Sequence, residues 1–261
     1  MCAKILKIRQ SAKYSRPTPL PLARKALYLF PITVAYEWKR MAANIRQIMK
    51  KTYTPTFGEE VGNSVSHGVM LVLTLLAIPF SAVWAFAHGG VVDAFGVSLF
   101  AISLFLMFTA STLYHSMHPA SRQKEVFHIL DHIFIYVAIA GSYTPVALSV
   151  IGGWQGVAIT AVQWAMVLFG IFYKSLSQRS IPAVSLTIYF VMGWMVVFSL
   201  SEFVRNASRH LLALIVAGGV LYSVGAVFYA KKGFKYHHLV WHLFIDLAAI
   251  CHFVGIVFFL Y

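Results

Sequence analysis

Charged side chains are scarce in this chain of 261 residues: only 11% are Asp, Glu, Lys or Arg, and only eight of these are acidic. Apolar residues make up 59% of the sequence, above the roughly 45–50% that is usual in soluble domains. A soluble fold of this composition could not cover its surface with polar groups, so we expect lipid to be the solvent.

The sequence also has little cysteine and no recognisable cleavable leader. Cys2 lies in a basic segment and Cys251 in an apolar run, so we expect no structural disulfide. The apolar stretch Ala26–Tyr36 is short for a span, is interrupted by Pro31, and lacks a small-residue cleavage site. We interpret it as a segment lying on the inner leaflet. Translation starting at Met41, or an organellar transit peptide, are the alternatives.

Positive charge is concentrated at the N-terminus. The net charge is +13, and twelve of the 21 Lys and Arg fall within the first 51 residues. We therefore divide the chain into a basic cytoplasmic arm, residues 1–55, and a membrane domain, residues 56–261. Membrane lipids, and for the arm the anionic inner leaflet, are the expected partners. Nucleic acid is not expected, because no basic patch on a soluble fold is visible.

Long uncharged runs dominate the membrane domain. Six of them, each 19 to 22 residues long, match a hydrocarbon core of about 30 Å at 1.5 Å per residue. A seventh run has the right length but contains His242, Asp246 and His252. No run shows the alternation of a membrane β-barrel. The sequence predicts an all-α integral membrane protein with seven transmembrane helices, over Gly68–Ala87, Ala94–Tyr114, Ile133–Ile151, Gly152–Tyr173, Ile181–Ser201, Leu211–Ala230 and Leu239–Tyr261.

The loop charges predict the orientation. Lys and Arg follow the second, fourth and sixth runs, whereas the gaps after the first and third runs contain neither. Because cytoplasmic loops carry the excess of Lys and Arg, the N-terminus is expected in the cytoplasm and Tyr261 outside. This describes a multi-pass protein of the cell membrane, either the plasma membrane or a bacterial inner membrane.

Polar residues gather at the predicted cytoplasmic ends of four helices, and ionisable groups within spans are candidates for function. They are Glu60, Asn63 and His67 on the first helix, Ser111 and His115 on the second, His128, Asp131 and His132 on the third, and His238 and His242 on the seventh.

Three of these histidines suit a metal ion. His238 and His242 are four residues apart and share a helix face, and His115 from a second helix would leave one tetrahedral position open, as in catalytic zinc sites. Asp131 could complete the ligands or act as general base on a water molecule. Ser111 could orient a ligand or donate a hydrogen bond to an oxyanion.

The other polar positions have plainer interpretations. Glu60, Asn63 and His67 either support the ligands or form only a satisfied network between helices, and His128 and His132 are grouped with them as supporting residues.

Residues outside this group are expected to have structural roles. We expect His237 to be a solvated loop residue and His252 to hydrogen-bond to a neighbouring helix. Gly193, Gly218 and Gly219 are expected at sites of close helix packing.

Several local motifs resemble one family. The sequences STLYH (Ser111–His115), HILDH (containing Asp131) and HLVWH (His238–His242) together resemble the haemolysin III proteins, a bacterial branch of the progestin and adipoQ receptor family. The likeness runs from about Glu59 to the C-terminus. It also includes EEVGNSVSHG at Glu59–Gly68, ASTLYH at Ala110–His115, AGSYTP at Ala140–Pro145, VMGW at Val191–Trp194 and CHF at Cys251–Phe253.

The resemblance implies a seven-helix fold with zinc near the cytoplasmic face. By that analogy His115, His238 and His242 are the ligands and Asp131 holds a water molecule. Asp246 departs from the family pattern and takes no family role. Members of this branch usually begin near the position of Met41.

Three functions are compatible with these features. The first is a zinc-dependent hydrolase of a lipid amide or ester, since the wider superfamily includes ceramidases and the bacterial branch is linked to membrane homeostasis. The second is a non-catalytic receptor or sensor of membrane state with a structural metal. The third is a pore-forming cytolysin, in keeping with the haemolytic activity that names the branch, although no span has a polar face to line a pore. A di-iron desaturase would need more clustered histidines.

Overall fold

The protein is described by a computed structural model that covers residues 55–176, 182–231 and 234–261. The predicted interfacial segment Ala26–Tyr36, with the remainder of the basic arm up to residue 54, lies outside the described residues. Within the described ranges every regular element is helical and no strand occurs.

In the part of the chain that the structure describes, seven helical segments are long and apolar enough to cross a membrane, which confirms the predicted number. The first six are longer than the predicted runs, because each helix continues into polar residues at its ends, and the seventh has the same length. The segments are Phe57–Gly89, Val91–Ser116, Arg122–Ile151, Gly153–Leu176, Ala183–Asn206, Arg209–Lys231 and His237–Phe259. The chain is therefore a multi-pass membrane protein, while its orientation stays a prediction from the charge distribution.

Eight α-helices make up these segments. We number them α1 (Phe57–Gly89), α2 (Val91–Ser116), α3 (Arg122–Pro145), α4 (Gly153–Leu176), α5 (Pro182–Gly193), α6 (Leu200–Asn206), α7 (Arg209–Lys231) and α8 (His237–Phe259). A π-helical stretch, Val146–Ile151, continues α3, and a 3-10 stretch, Met195–Ser199, joins α5 to α6.

The helices pack mainly against their neighbours in the chain, and α8 closes the bundle. The most extensive contacts join α1 to α2, α2 to α3, and α7 to α8, and α8 also packs along α1. This arrangement brings the start of α1, the end of α2, the start of α3 and the start of α8 to one end of the bundle. We call it the histidine end, because His115, His238 and His242 lie there.

Glu59 ties two helix starts together at the histidine end. Its carboxylate accepts hydrogen bonds from the Thr56 backbone N–H (2.8 Å) and hydroxyl (2.9 Å), which caps α1. The other oxygen accepts from the backbone N–H of Tyr236 at 2.6 Å. Tyr236 has a left-handed backbone (φ 62°) immediately before α8. The position at which α8 begins is therefore set by a residue of α1.

The fifth span is broken, which the sequence did not predict. The α-helix stops at Gly193, and side chains of neighbouring helices bind the backbone groups that this break frees. The Tyr143 hydroxyl donates to the Gly193 carbonyl (2.6 Å) and accepts from the Val196 N–H (3.0 Å). Gln163 donates to the Met192 carbonyl at 2.8 Å. Irregular backbone at membrane depth requires such partners, since lipid offers none.

The prediction of close helix packing is confirmed for one of the three glycines and is wrong for the other two. A Cβ at Gly218 would collide with the ring of His252, so close helix packing is confirmed there. The prediction is wrong for Gly193 and Gly219, where a Cβ would meet nothing within 4 Å. Both line an open cavity, which explains the space around them.

Candidate metal centre

The three predicted ligands come together at the histidine end. His115 lies in the last turn of α2, and His238 and His242 lie in the first turns of α8. Their ring centroids are 5.1 Å (His115–His238), 4.9 Å (His115–His242) and 4.7 Å (His238–His242) apart. One ligand atom from each residue lies within 4.8 Å of the other two, so the cluster could hold a metal ion.

Some nitrogen atoms of the three histidines make hydrogen bonds, and others have no partner. The Nδ1 atom of His115 donates to Glu60 Oε2 at 2.6 Å, and the Nδ1 atom of His242 donates to the Asn63 carbonyl at 3.3 Å. The Nε2 atoms of His115 and His238 are buried and have no hydrogen-bond partner in the described part of the chain. Buried polar atoms are rarely left without partners, so these two indicate a ligand.

The donor set fits zinc. Three neutral imidazoles leave a fourth tetrahedral position, and imidazole nitrogens lie about 2.1 Å from zinc, so that two of them are about 3.4 Å apart at tetrahedral angles. The ligand nitrogens here lie within 4.8 Å of one another, so an ion would draw them together by up to about 1.4 Å. Such a movement requires rotation of the histidine side chains.

A partly buried ion pair, formed by Glu60 and Lys124, contacts His115. Glu60 accepts from His115 through Oε2 and from the Lys124 ammonium through Oε1 at 2.9 Å. Lys124 also donates to the Met117 carbonyl at 3.2 Å, which anchors it at the end of α2. A carboxylate that accepts from the second nitrogen of a histidine fixes the ring's orientation and makes it a stronger ligand. Sequence reasoning missed Lys124, which it counted only as a loop charge; its position two residues inside a helix start was the only available signal.

Asp131 and Ser111 lie beside the cluster without joining it. The Asp131 carboxyl approaches the Ser111 hydroxyl and interacts electrostatically with His115. The Ser111 hydroxyl is buried and makes no hydrogen bond within the described residues. Asp131 Oδ2 also lies 3.9 Å from His132 Nδ1. The positions of Asp131 and Ser111 near His115 are compatible with contact to a small molecule held at the cluster, and the roles expected of them stay predictions.

The supporting residues occupy different places. Asn63 accepts from His242 through its backbone, and its side-chain nitrogen lies 3.5 Å from His115 Nδ1. His67 stacks on His242 with a centroid distance of 3.7 Å. On α3, His132 donates from Nδ1 to the His128 carbonyl at 2.8 Å, and its ring contacts that of His128. His128 and His132 are not members of the three-histidine group.

Two histidines outside the candidate site test the remaining expectations. The prediction for His237 is wrong: its side chain is buried at the start of α8, where Nδ1 donates to the Phe234 carbonyl at 3.0 Å. The prediction for His252 is confirmed, since its Nε2 donates to the Ile215 carbonyl on α7 at 3.2 Å.

A cavity lies next to the helix that carries the cluster. Its volume is about 120 Å³, and its walls are mostly apolar. Trp241 and Ile245, which lie one residue before and three residues after the candidate ligand His242 on α8, form part of its wall. Tyr143 and Gly193 at the break in the fifth span form another part. The break thus borders a space within the membrane layer.

The fold and the site define a class of protein: a helical membrane protein with seven spans and a three-histidine cluster at one end. Comparison with known proteins places the chain within that class: the family model described as "Haemolysin-III related" matches residues 56–253. The chain belongs to the haemolysin III-related family, and its resemblance to the haemolysin III proteins is confirmed.

Individual relatives agree with this assignment. The chain is 35% identical over 187 residues to Hemolysin-3 of Bacillus cereus, covering 72% of this chain and 85% of that protein. It is 34% identical over 190 residues to the Hemolysin-3 homolog of Bacillus subtilis (strain 168), covering 73% and 89%. It is also 27% identical over 215 residues to the human monocyte to macrophage differentiation factor, covering 80% and 87%, so the wider progestin and adipoQ receptor relatives match too.

Proposed function

We propose that the protein is a zinc-dependent hydrolase that cleaves an amide or ester bond of a membrane lipid. The observation that carries the proposal is the pair of buried, unpartnered Nε2 atoms of His115 and His238, with Asp131 and Ser111 beside them. His115, His238 and His242 would hold the ion. Zinc supplies Lewis acidity, which polarises a carbonyl group and lowers the pKa of a water molecule.

The protein's own groups account for the proton transfers. Asp131 takes a proton from the attacking water as the water oxygen forms a bond to the carbonyl carbon. The Ser111 hydroxyl donates a hydrogen bond to the oxygen on which negative charge develops. Asp131 then gives the proton to the departing amine or alcohol as the carbon–nitrogen or carbon–oxygen bond breaks. The products are a carboxylic acid and an amine or alcohol.

The apolar cavity supports a lipid as the substrate. A long acyl chain needs an apolar channel within the bilayer, and the cavity wall includes Trp241 and Ile245 on the helix that carries His238 and His242. A substrate could thus place its chain among these side chains and its carbonyl group at the histidine cluster. A water-soluble substrate would gain nothing from such a wall.

A non-catalytic role for the metal is the second candidate, and one observation favours it. The cluster joins α2 to α8, and its hydrogen bonds extend to α1 and, through Lys124, to α3. An ion at this junction of four helices would stabilise the bundle without any chemistry, as expected of a sensor of membrane state.

Reconstitution of the full chain in phospholipid liposomes separates these roles. We would supply a long-chain N-acyl amide and a long-chain ester lipid and measure released fatty acid, with zinc content determined in parallel. Loss of a general base lowers rates by about 10²–10⁴-fold, so Asp131→Ala should abolish measurable turnover while keeping its zinc. His238→Ala should lose both. Asp93→Ala, at the opposite end of the bundle, is the matched control and should retain both.

Three results would contradict the proposal. Equal turnover by Asp131→Ala and the wild type removes Asp131 from the mechanism. Stoichiometric zinc without turnover of either lipid class leaves the structural metal as the better account. Dye leakage from the same liposomes, at protein levels that give no fatty acid, would favour a cytolysin.

A further inference from the structure

A second buried polar pair lies one helical turn deeper in the bundle than the three-histidine cluster. His67 follows Asn63 by one turn of α1, and Asp246 follows His242 by one turn of α8. Their side chains face each other, with His67 Nε2 3.5 Å from Asp246 Oδ1. A carboxylate inside a membrane span is costly and is rarely retained without a role.

The pair is not a closed structural hydrogen bond. Both nitrogens of His67 and the Oδ1 atom of Asp246 are buried and have no hydrogen-bond partner within the described residues. His67 is 3% exposed and Asp246 is 8% exposed, so water at the surface does not satisfy them. An apolar residue at position 246 would fill the same space without burying a charge. The ionisable side chain that the carboxylate approaches is that of His67.

The ring of His67 is placed against a metal ligand. It stacks on His242 with 3.7 Å between ring centroids and 5° between planes, and it meets the ring of Phe108 edge-on at 5.1 Å. Because the stacked rings are parallel, rotation of His67 would displace the plane of His242. The contact with Asp246, at the edge of the ring, opposes that rotation.

We propose that Asp246 and His67 are positioning residues for the ligand His242. Asp246 restrains the imidazole of His67, and the face of that imidazole holds the ring of His242 in the plane that brings its ligand nitrogen within 4.8 Å of those of His115 and His238. This inference rests on the metal centre of the proposed function, and it does not depend on lipid hydrolysis. Asp246 acts only through His67, so the two residues should behave as one unit.

A double-mutant cycle on the full chain in detergent tests that coupling, with Co²⁺ as a spectroscopic probe of the metal. The variants are Asp246→Asn, His67→Phe and the double variant; Phe keeps a ring on His242 but offers no nitrogen to Asp246. Loss of a residue that orients a ligand lowers metal affinity by about 10–100-fold. Each single variant should show such a loss and a shifted visible absorption band. Adding Asp246→Asn to His67→Phe should then change affinity less than twofold.

The control is Asp93→Asn, because Asp93 also has a buried, unpartnered oxygen but lies at the start of α2, away from the cluster. It should leave the Co²⁺ affinity and spectrum unchanged. Additive losses in the double variant would show that Asp246 acts on the metal directly and would overturn the proposal. Unchanged affinity in Asp246→Asn, or an equal loss in Asp93→Asn, would also overturn it. If Asp246→Asn does not fold, Asp246→Leu takes its place in the cycle.

The two proposals fail differently. A coupled cycle in a protein that hydrolyses neither lipid class leaves the positioning role intact and removes the hydrolase. An additive cycle in an active hydrolase removes only the positioning role. Absence of Co²⁺ and Zn²⁺ binding by the wild type would refute both.

Discussion

Replacement of Glu60 by Gln tests how much the ion pair between Glu60 and Lys124 contributes to metal affinity at the three-histidine cluster. Glu60 contacts His115 at 2.6 Å and Lys124 at 2.9 Å, and its side chain is only 17% exposed. Gln keeps the size of the side chain and one acceptor oxygen but removes the charge. His115 then loses its charged acceptor, and the Lys124 ammonium loses its ion pair but keeps the Met117 carbonyl and the face of the Tyr114 ring.

The expected effect is a weaker metal site in a folded protein. Removal of the group that orients a metal-binding histidine costs about 10–100-fold in affinity, which corresponds to about 1.4–2.8 kcal/mol. Zinc affinity would be measured by competition with a chromogenic chelator, using purified full chain whose helicity matches the wild type. Glu60→Ala should lose more, because it also leaves a space beside His115.

Glu125→Gln is the matched control for this measurement. Glu125 is an exposed acidic residue in the first turn of α3, at the same end of the bundle. It should alter zinc affinity less than twofold, since exposed charges contribute little. Equal affinities in Glu60→Gln and the wild type would refute the reasoning that Glu60 prepares His115 for a metal. An equal loss in Glu125→Gln would reduce the effect to general charge at that surface.

Two further predictions concern the cavity and the broken span. Gly219→Leu should slow the hydrolysis of long-chain lipids more than that of short-chain lipids, because the new side chain enters the open space beside Gly219. The zinc content should stay unchanged. Equal slowing of both substrates would argue against an acyl-chain site. Tyr143→Phe should lower the free energy of unfolding of the detergent-solubilised protein by about 1–3 kcal/mol, because the Gly193 carbonyl and the Val196 N–H lose their shared partner. An unchanged melting temperature would show that these two groups find other partners.

The sequence predicted the spans because lipid imposes a strict length and polarity on them. A run of about 20 apolar residues has few interpretations other than a transmembrane helix, and each of the seven segments contains most or all of such a run. It also predicted that polar residues on four helices share one end, since helix periodicity and the alternation of spans determine end and face. His115, His238 and His242 were found from these rules alone.

The parts that were not predicted depend on side chains from other helices. The break after Gly193 is stabilised by Tyr143 and Gln163, neither of which is near it in the sequence. The glycines that line the cavity cannot be distinguished by composition from Gly218, which packs against His252. Helix periodicity gives the face of a residue but not the partner that its side chain meets, so contacts of this kind stay hidden in one sequence.

The ionisable residues around the histidine end suggest why a divalent cation suits it. Four carboxylates are buried or nearly buried there or one turn deeper, and two ammonium groups accompany them: Glu59, Glu60, Asp131 and Asp246, with Lys124 and Lys174. Carboxylates outnumber ammonium groups among these six residues, in a layer where unpaired charge is costly. Three imidazoles bring no charge of their own, so a divalent ion at the cluster would be attracted by the nearest carboxylates. Glu60 contacts His115 directly, whereas Asp246 contacts only His67, which stacks on His242. Replacements of these two carboxylates therefore test how the histidines are positioned, which replacements of the histidines themselves cannot do.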